Sequence, residues 1–201
     1  MVVESKKEMI GATLLSAEAA LRIGVGSVKI ICSKQTLPIY SIKFPSLLKK
    51  EINSLKEFKK FIIENNKDTF LIGPGAGSNN KTKERVKLLL NYVKNVILDA
   101  DGLTCFKNDQ KTLYKLLDRN KIITPHIKEF EKLFPKLKKI KNNKSKIINA
   151  SKIVDCTIVL KGNTTYISNR KRLAINNNSI KELAVIGSGD VLAGIISSLV
   201  G

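Results

Sequence analysis

Gly187-Ser188-Gly189-Asp190 runs directly into Val191-Leu192-Ala193-Gly194-Ile195-Ile196. Two glycines let a backbone approach a ligand closely. The apolar residues Val191, Leu192, Ile195, Ile196, Leu199 and Val200 recur at helical spacing, which predicts a helix opening at this turn. A helix N-terminus offers unpaired N–H groups and the positive end of the helix dipole, both of which favour an anion. Asp190 places a carboxylate in the same turn. An anion hole beside a carboxylate suits phosphoryl transfer: the amides hold charge on the moving phosphate and the carboxylate accepts a hydroxyl proton. The dipole is expected to keep Asp190 ionised at neutral pH. The same residues also fit a plain glycine turn with Asp190 as an ordinary helix cap, so the neighbouring elements must decide.

Helical and extended patterns alternate along the chain. Residues 11–24 (GATLLSAEAALRIG) read as a small-residue helix closed by glycine, followed by a strand at 27–32. A helix is predicted over 55–65, then a strand over 69–72 running into Gly73-Pro74-Gly75-Ala76-Gly77. The next helix, 81–93, carries Val86, Leu89, Leu90 and Val93 on its apolar face. Further strands are expected at 96–99, 121–124, 157–161 and 164–168, with 170–175 pairing with the last of these. Helices are expected at 127–133 and 145–154, and a loop at 176–179. Short apolar strands separated by helices make an α/β domain with a mostly parallel sheet, and the late pair adds an antiparallel edge. No repeat or linker divides the chain, so residues 1–201 read as one domain.

In such sheets the ligand lies outside the carboxyl ends of the strands. Gly73–Gly77, Asp99-Ala100-Asp101-Gly102, Thr124-Pro125-His126 and Lys161-Gly162 each follow a predicted strand. Taken singly, each has a plainer reading. GPGAG is also a tight strand-to-helix connection. Asp99 and Asp101 fit a water-mediated Mg²⁺ site, but Asp101 equally fits a helix cap. Lys161 either orders a phosphate or begins a hairpin. His126 is the only histidine, and its place among these loops marks it as functional. Four such turns meeting at one sheet edge outweigh any one motif.

The composition narrows the function classes. At 201 residues and 43% hydrophobic, the chain is long enough for a core without disulfides or metals. Its net charge of +19 would ordinarily point to nucleic acid. The surplus, however, is mostly lysine, and aromatics are only 5%, too sparse for stacking on bases, so no nucleic-acid partner is expected. No apolar run is long enough to span a bilayer, and Met1–Glu8 lack the order of a signal peptide, so no membrane association is expected. Cys32, Cys105 and Cys156 form no CxxC pair, which argues for reduced thiols, a cytoplasmic location and no zinc site.

The ordered set GPGAG, VILDADGLT, ITPHIKEFEKLF, IVLKGNTTYI and GSGDVLAGII resembles the ADP-dependent NAD(P)H-hydrate dehydratases of the ribokinase-like superfamily. Residues 11–26 are similar to that family's first helix, and the resemblance covers nearly the whole chain. It implies a three-layer α/β/α sandwich. It also implies removal of water from the S-epimer of hydrated NADH or NADPH, driven by conversion of ADP to AMP and phosphate. Position by position, Asp190 matches the catalytic carboxylate, and Gly187, Ser188 and Gly189 the anion hole, with Gly189 also a nucleotide contact. Lys161, Gly162, Asn163, Thr164 and Thr165 match the segment that holds the adenine nucleotide. Ala12, Gly75, His126 and Asp190 match contacts to the hydrated dinucleotide, and Glu129 a supporting or metal-water residue. The implied partners are the NAD(P)H hydrate, ADP or ATP, Mg²⁺ and further copies of the chain in a homo-oligomer.

Several positions depart from that pattern. Glu4-Ser5-Lys6-Lys7-Glu8 stands where the family has a glycine-containing first loop, and Asn177-Asn178-Ser179 replaces Asn-Pro-Gly. Ala184-Val185-Ile186-Gly187 replaces Ala-Thr-Gly-Gly, and bulky Val185 and Ile186 are expected to crowd the nucleotide loop. Set against the family, the chain lacks the usual first strand region and the helices after Gly201, so it reads as a shortened or divergent member, incomplete at both ends. Two other readings therefore stand beside the dehydratase: an ATP-dependent small-molecule kinase of the same superfamily, and an inactive nucleotide-binding remnant.

Overall fold

Strand residues alternate between two apolar layers, and this alternation sets the architecture. The computed structural model describes residues 1–200. Nine strands form one sheet: β1 (Val2–Val3), β2 (Lys29–Cys32), β3 (Leu48–Glu51), β4 (Thr69–Ile72), β5 (Asn95–Leu98), β6 (Lys121–Ile123), β7 (Thr157–Leu160), β8 (Thr165–Ser168) and β9 (Leu173–Asn176). Their order is β3-β2-β1-β4-β5-β6-β7-β8-β9. All pairs from β3 to β7 are parallel, whereas β7–β8 and β8–β9 are antiparallel, as the sequence predicts.

The helices are α1 (Ile10–Arg22), α2 (Leu37–Lys43), α3 (Leu55–Glu64), α4 (Asn80–Tyr92), α5 (Asp101–Thr104), α6 (Gln110–Leu116), α7 (Ile127–Leu133), α8 (Asn143–Ile153) and α9 (Ser188–Val200). Val2, Ile30, Leu71 and Ile97 pack with Ala17 and Ala20 of α1, Tyr40 of α2 and Ala193 of α9. The alternate residues Val3, Ile31, Phe70, Ile72, Val96 and Leu98 pack with Phe58 of α3, Val86 and Leu89 of α4, Phe130 of α7 and Ile147 of α8. The result is a three-layer α/β/α sandwich. Full burial of each such Val, Leu, Ile or Phe contributes about 1.5–3 kcal/mol.

Val2 and Val3 form a strand inside the sheet, paired with both β2 and β4. They place α1 directly behind the carboxyl edge. Helices α1 and α9 meet there at backbone distance: a Cβ built on Gly194 would lie 2.2 Å from the Ser16 carbonyl oxygen. Ser16 Oγ donates to the Asp190 carbonyl at 2.9 Å, and Ser198 Oγ donates to the Ala20 carbonyl at 3.0 Å. The small residues of both helices are thus a docking seam that fixes the start of α9.

Candidate active site

Two turns interlock at the carboxyl edge. Gly73 has φ +128°, and a Cβ there would sit 1.8 Å from the Asp99 carbonyl oxygen; a Cβ on Gly102 would lie 2.8 Å from the Ile72 carbonyl oxygen. No side chain fits either place, so the GPGAG and DADG turns pack backbone to backbone. Ala100, at φ 45°, is the one non-glycine residue with positive φ among the described residues, which marks local strain. Asp101 Oδ2 accepts the Gly77 N–H at 2.8 Å, and Thr104 Oγ1 donates to Asp101 Oδ1 at 3.4 Å. Asp101 therefore ties one turn to the other.

Beside this frame lies a line of charged groups. Asp99, only 2% exposed, accepts from Thr124 Oγ1 at 2.7 Å and pairs with the Lys161 ammonium at 2.5 Å. Lys161 is positioned by its own N–H, which donates to the Pro125 carbonyl at 2.9 Å, and by a parallel bridge to His126. His126 begins α7: its Nδ1 accepts the N–H groups of Lys128 at 3.1 Å and Glu129 at 3.4 Å. With Nδ1 accepting, the hydrogen-bond pattern assigns the ring proton to Nε2, which lies 3.5 Å from Glu129 Oε1. Glu129 Oε2 accepts the His126 N–H at 2.9 Å, completing a reciprocal cap. Burial raises the Glu129 pKa; the His126 N–H, the Lys161 charge and, when its ring is protonated, His126 oppose that rise, and Asp99 adds to it. The His126 ring remains half-exposed at the edge rather than buried in the core.

The third part is the start of α9. Gly187 has φ +91°, and a Cβ on it would meet Leu15 Cδ1 at 2.6 Å, so glycine is required there. The Ser188 N–H reaches the Val185 carbonyl and the Val191 N–H the Gly187 carbonyl. Between them, the N–H groups of Gly189 and Asp190 have no acceptor among the described residues. Two free donors at a helix N-terminus can receive an anion. A Cβ on Gly189 would lie 3.6 Å from Lys161 Nζ, so the ammonium stands beside those amides. The Asp190 pKa is raised, first by burial and then by Asp99, with Lys161 opposing. Burial and Asp99 thus act against the helix dipole on this carboxylate. A carboxylate raised from its ordinary value is the better proton acceptor.

Most of the sequence-predicted residues therefore converge. Asp190, Gly187, Ser188, Gly189, Lys161 and His126 share one edge. Gly162 and Asn163 are exposed, and Thr164 and Thr165 half-buried, in the turn from β7 to β8, open to a ligand on the same side. Gly75, at φ +60°, packs where a Cβ would meet Met9 at 2.7 Å, Ser5 at 3.0 Å and Ala12 at 3.2 Å. Ala12 on α1 thus touches the GPGAG turn one helical turn before Ser16 meets Asp190. Val185 and Ile186, expected from the sequence to crowd the nucleotide loop, are 61% and 105% exposed and pack against no part of the core. Two features went unpredicted. Asp99 and Lys161 are each other's partners, and Ser16 fixes the backbone of Asp190.

No group of three or more His, Cys, Asp or Glu side chains that could hold a metal occurs among the described residues. Asp99 is committed to Lys161 and Thr124, and Asp101 to Gly77 and Thr104, so the two do not fit a protein-built Mg²⁺ cage.

Residues 1–201 match the Carb_kinase family model, described as NAD(P)H-hydrate dehydratase. The chain is 32% identical to a bifunctional NAD(P)H-hydrate repair enzyme of Methanocaldococcus jannaschii over 99% of its own length. It spans 38% of that relative, about two fifths. Its fold is similar to that of a ribokinase-like superfamily protein from Enterococcus faecalis, with a TM-score of 0.82, 22% identity, and coverage of 98% of this chain and 69% of the other. A Bacillus subtilis ADP/ATP-dependent NAD(P)H-hydrate dehydratase, co-crystallised with ATP/Mg²⁺ and soaked with CoA, aligns with a TM-score of 0.72 and 25% identity. That alignment covers 99% of this chain and 72% of the other.

Proposed function

The chain belongs to the NAD(P)H-hydrate dehydratase family, and from that premise we propose that it removes water from the S-epimer of hydrated NADH or NADPH, converting ADP to AMP and phosphate. The observation that carries this reading is the pair of unsatisfied N–H groups at Gly189 and Asp190, set against a carboxylate of raised pKa and the Lys161 ammonium. Asp190 takes the proton of the hydrate hydroxyl as its oxygen attacks the terminal phosphorus of ADP and AMP leaves. The two amides and Lys161 hold the charge on the moving phosphoryl group. The phosphate then departs with the C–O bonding electrons, and loss of a proton from the adjacent ring carbon restores the dihydropyridine.

In this reading Ala12, Gly75 and His126 contact the dinucleotide, while Lys161 to Thr165 and Gly187 to Gly189 hold the adenine nucleotide. Mg²⁺ would arrive on the nucleotide phosphates, since no protein cage is built for it. Self-association into a homo-oligomer is part of the proposal, supported by exposed Ile42, Leu183, Val185 and Ile186. So is a cytoplasmic location, supported by three unpaired cysteines; no helix among the described residues is long and apolar enough to cross a membrane. The test is to incubate purified protein with hydrated NADH and ADP and to follow recovery of dihydropyridine absorbance. Recovery dependent on ADP or ATP supports the reading, accumulation of a stable phosphate ester supports a kinase instead, and no turnover with either nucleotide refutes both.

A further inference from the structure

A cavity of about 300 Å³ opens at the carboxyl ends of β1, β2 and β4, next to the GPGAG turn. Its floor is Arg85 of α4, a side chain of a residue only 7% exposed, whose guanidinium has no hydrogen-bond or ion-pair partner among the described residues. Its guanidinium carbon lies over the Phe58 ring, 5.3 Å from the ring centroid. A buried guanidinium keeps its charge and its five donors in a fixed fork. Burial lowers the Arg85 pKa and the Glu4 charge opposes that, but no acceptor of the chain reaches hydrogen-bond distance, so the fork is left open to an acceptor in the cavity.

The remaining walls favour an anion. The first turn of α4 and the exposed Lys6, Lys7 and Lys81 surround the mouth. Glu4 and the exposed Glu8 are the countercharges lining the cavity, and neither reaches ion-pair distance of Arg85. Glu4 Oε2 is already engaged by the Ser33 N–H at 2.9 Å, the Ser33 hydroxyl at 3.2 Å and the Thr36 hydroxyl at 2.5 Å. The cavity also joins the proposed substrate cleft. Ser5 lines it and packs against Gly75, the Lys6 N–H donates to the Gly75 carbonyl at 2.9 Å, and Ala76 forms part of its wall.

We infer that this cavity is a subsite for a phosphate group of the dinucleotide, received by the planar fork of Arg85. The inference rests on the proposed activity and adds to it a residue that selects the substrate. Two phosphate sources share this chemistry: the pyrophosphate bridge, common to both hydrates, and the ribose monophosphate that only the NADPH form carries.

Isothermal titration of wild type and Arg85→Met with NADH hydrate and with NADPH hydrate, in the absence of adenine nucleotide, tests the subsite without turnover. A bidentate charge-assisted contact of this kind is expected to weaken binding about tenfold or more when lost. Weakening confined to NADPH hydrate identifies the monophosphate, and equal weakening of both hydrates identifies the pyrophosphate. Unchanged binding of both by Arg85→Met overturns the inference. Glu4→Gln, which removes the opposing charge, is expected to tighten the same ligand.

Melting without ligand separates a binding role from a propping one. Arg85→Met keeps the apolar contact with Phe58 and removes an unpaired buried charge, so it is expected to melt no lower than wild type. A lower melting point with unaltered binding marks Arg85 as a prop and overturns the inference. If wild type binds neither hydrate, the proposed function fails, and inorganic pyrophosphate becomes the probe. A pyrophosphate-dependent rise in melting temperature, present in wild type and absent in Arg85→Met, sustains the anion site alone; no rise in wild type overturns it.

Discussion

Gly194→Ala tests whether the α1–α9 seam positions the chemistry. The added methyl would sit 2.2 Å from the Ser16 carbonyl oxygen, 2.9 Å from its carbon and 3.0 Å from its Cα. All three are backbone atoms, so no rotamer change relieves the overlap, and the helices must part by about an ångström to reach ordinary contact. Overpacking of this kind costs about 1–3 kcal/mol. Replacing glycine by alanine inside a helix returns about 0.8–1 kcal/mol. The balance is a net loss of up to about 2 kcal/mol, or up to about 8 °C in Tm for a domain of this size. The functional loss is expected to be larger than the stability loss. Ser16 holds the Asp190 carbonyl at 2.9 Å, so separating the helices displaces the anion-hole turn from Lys161. A misplacement of about 1 Å costs on the order of 10²-fold in rate. Calorimetry and turnover of hydrated NADH with ADP read the two effects on one sample. Gly11→Ala is the control, since a Cβ there meets nothing within 4 Å, and its melting temperature should be unchanged or raised. A Gly194→Ala protein that melts as high as wild type and turns over at the wild-type rate would show that the seam does not set the site.

Asp190→Asn keeps the shape of the α9 turn but removes the proton acceptor, so turnover should fall about 10²–10⁴-fold while nucleotide binding by calorimetry stays near wild type. The raised pKa of Asp190 also predicts a pH-dependent gain in stability. Because the folded protein holds this proton more tightly than the unfolded chain, ionisation opposes folding. The wild type loses that contribution as pH rises from the ordinary carboxylate value through the raised one, so the variant should melt higher than wild type at neutral pH and lose the advantage in acid. Lys161→Met strands the buried Asp99 with Thr124 alone, which should cost up to about 3 kcal/mol and should be largely recovered in the double variant with Asp99→Asn; additive losses in the double-mutant cycle would dismiss the pair. Asp101→Ala removes the acceptor of the Gly77 N–H and should cost about 1.5–3 kcal/mol irrespective of added Mg²⁺, whereas a stability loss that appears only with Mg²⁺ would restore the metal reading.

Where the fold was legible, the reason is periodicity. Leu71 and Ile97 face one layer while Phe70, Ile72, Val96 and Leu98 face the other, and this pleat survives in four-residue runs. The elements that escaped notice lack it. Strand β1 is two residues long, too short to show any period. Strand β3 reads LKKE because it is the outermost strand, where exposed lysines blunt an open edge. Helices α2 and α6 are seven residues each, and only Tyr40 and Leu113 are buried in them. The site shows the same division. Its turns were legible because glycines and aspartates must occupy them whatever surrounds them. Which aspartate serves which role was not, because pairing across the sheet depends on strand order rather than on local sequence. Asp99 and Lys161 are 62 positions apart, and neighbouring β5, β6 and β7 bring them together.

Arg85 and Glu4 carry that argument further. Arg85 precedes Val86 by one residue and Leu89 by four, so it lies on the same helix stripe as the core residues of α4. That position signals burial, and the buried charge it implies is legible once looked for. Glu4 is buried where the family pattern has a glycine, and its hydroxyl and amide partners come from Ser33 and Thr36 on the next crossover. The charged first loop does not close this edge, because it lines a cavity whose floor is Arg85. The departures in the first loop and the geometry of the α9 turn are therefore compatible. In the proposed reading the α9 turn receives the moving phosphoryl group, and Arg85 beneath the first loop receives a phosphate of the dinucleotide.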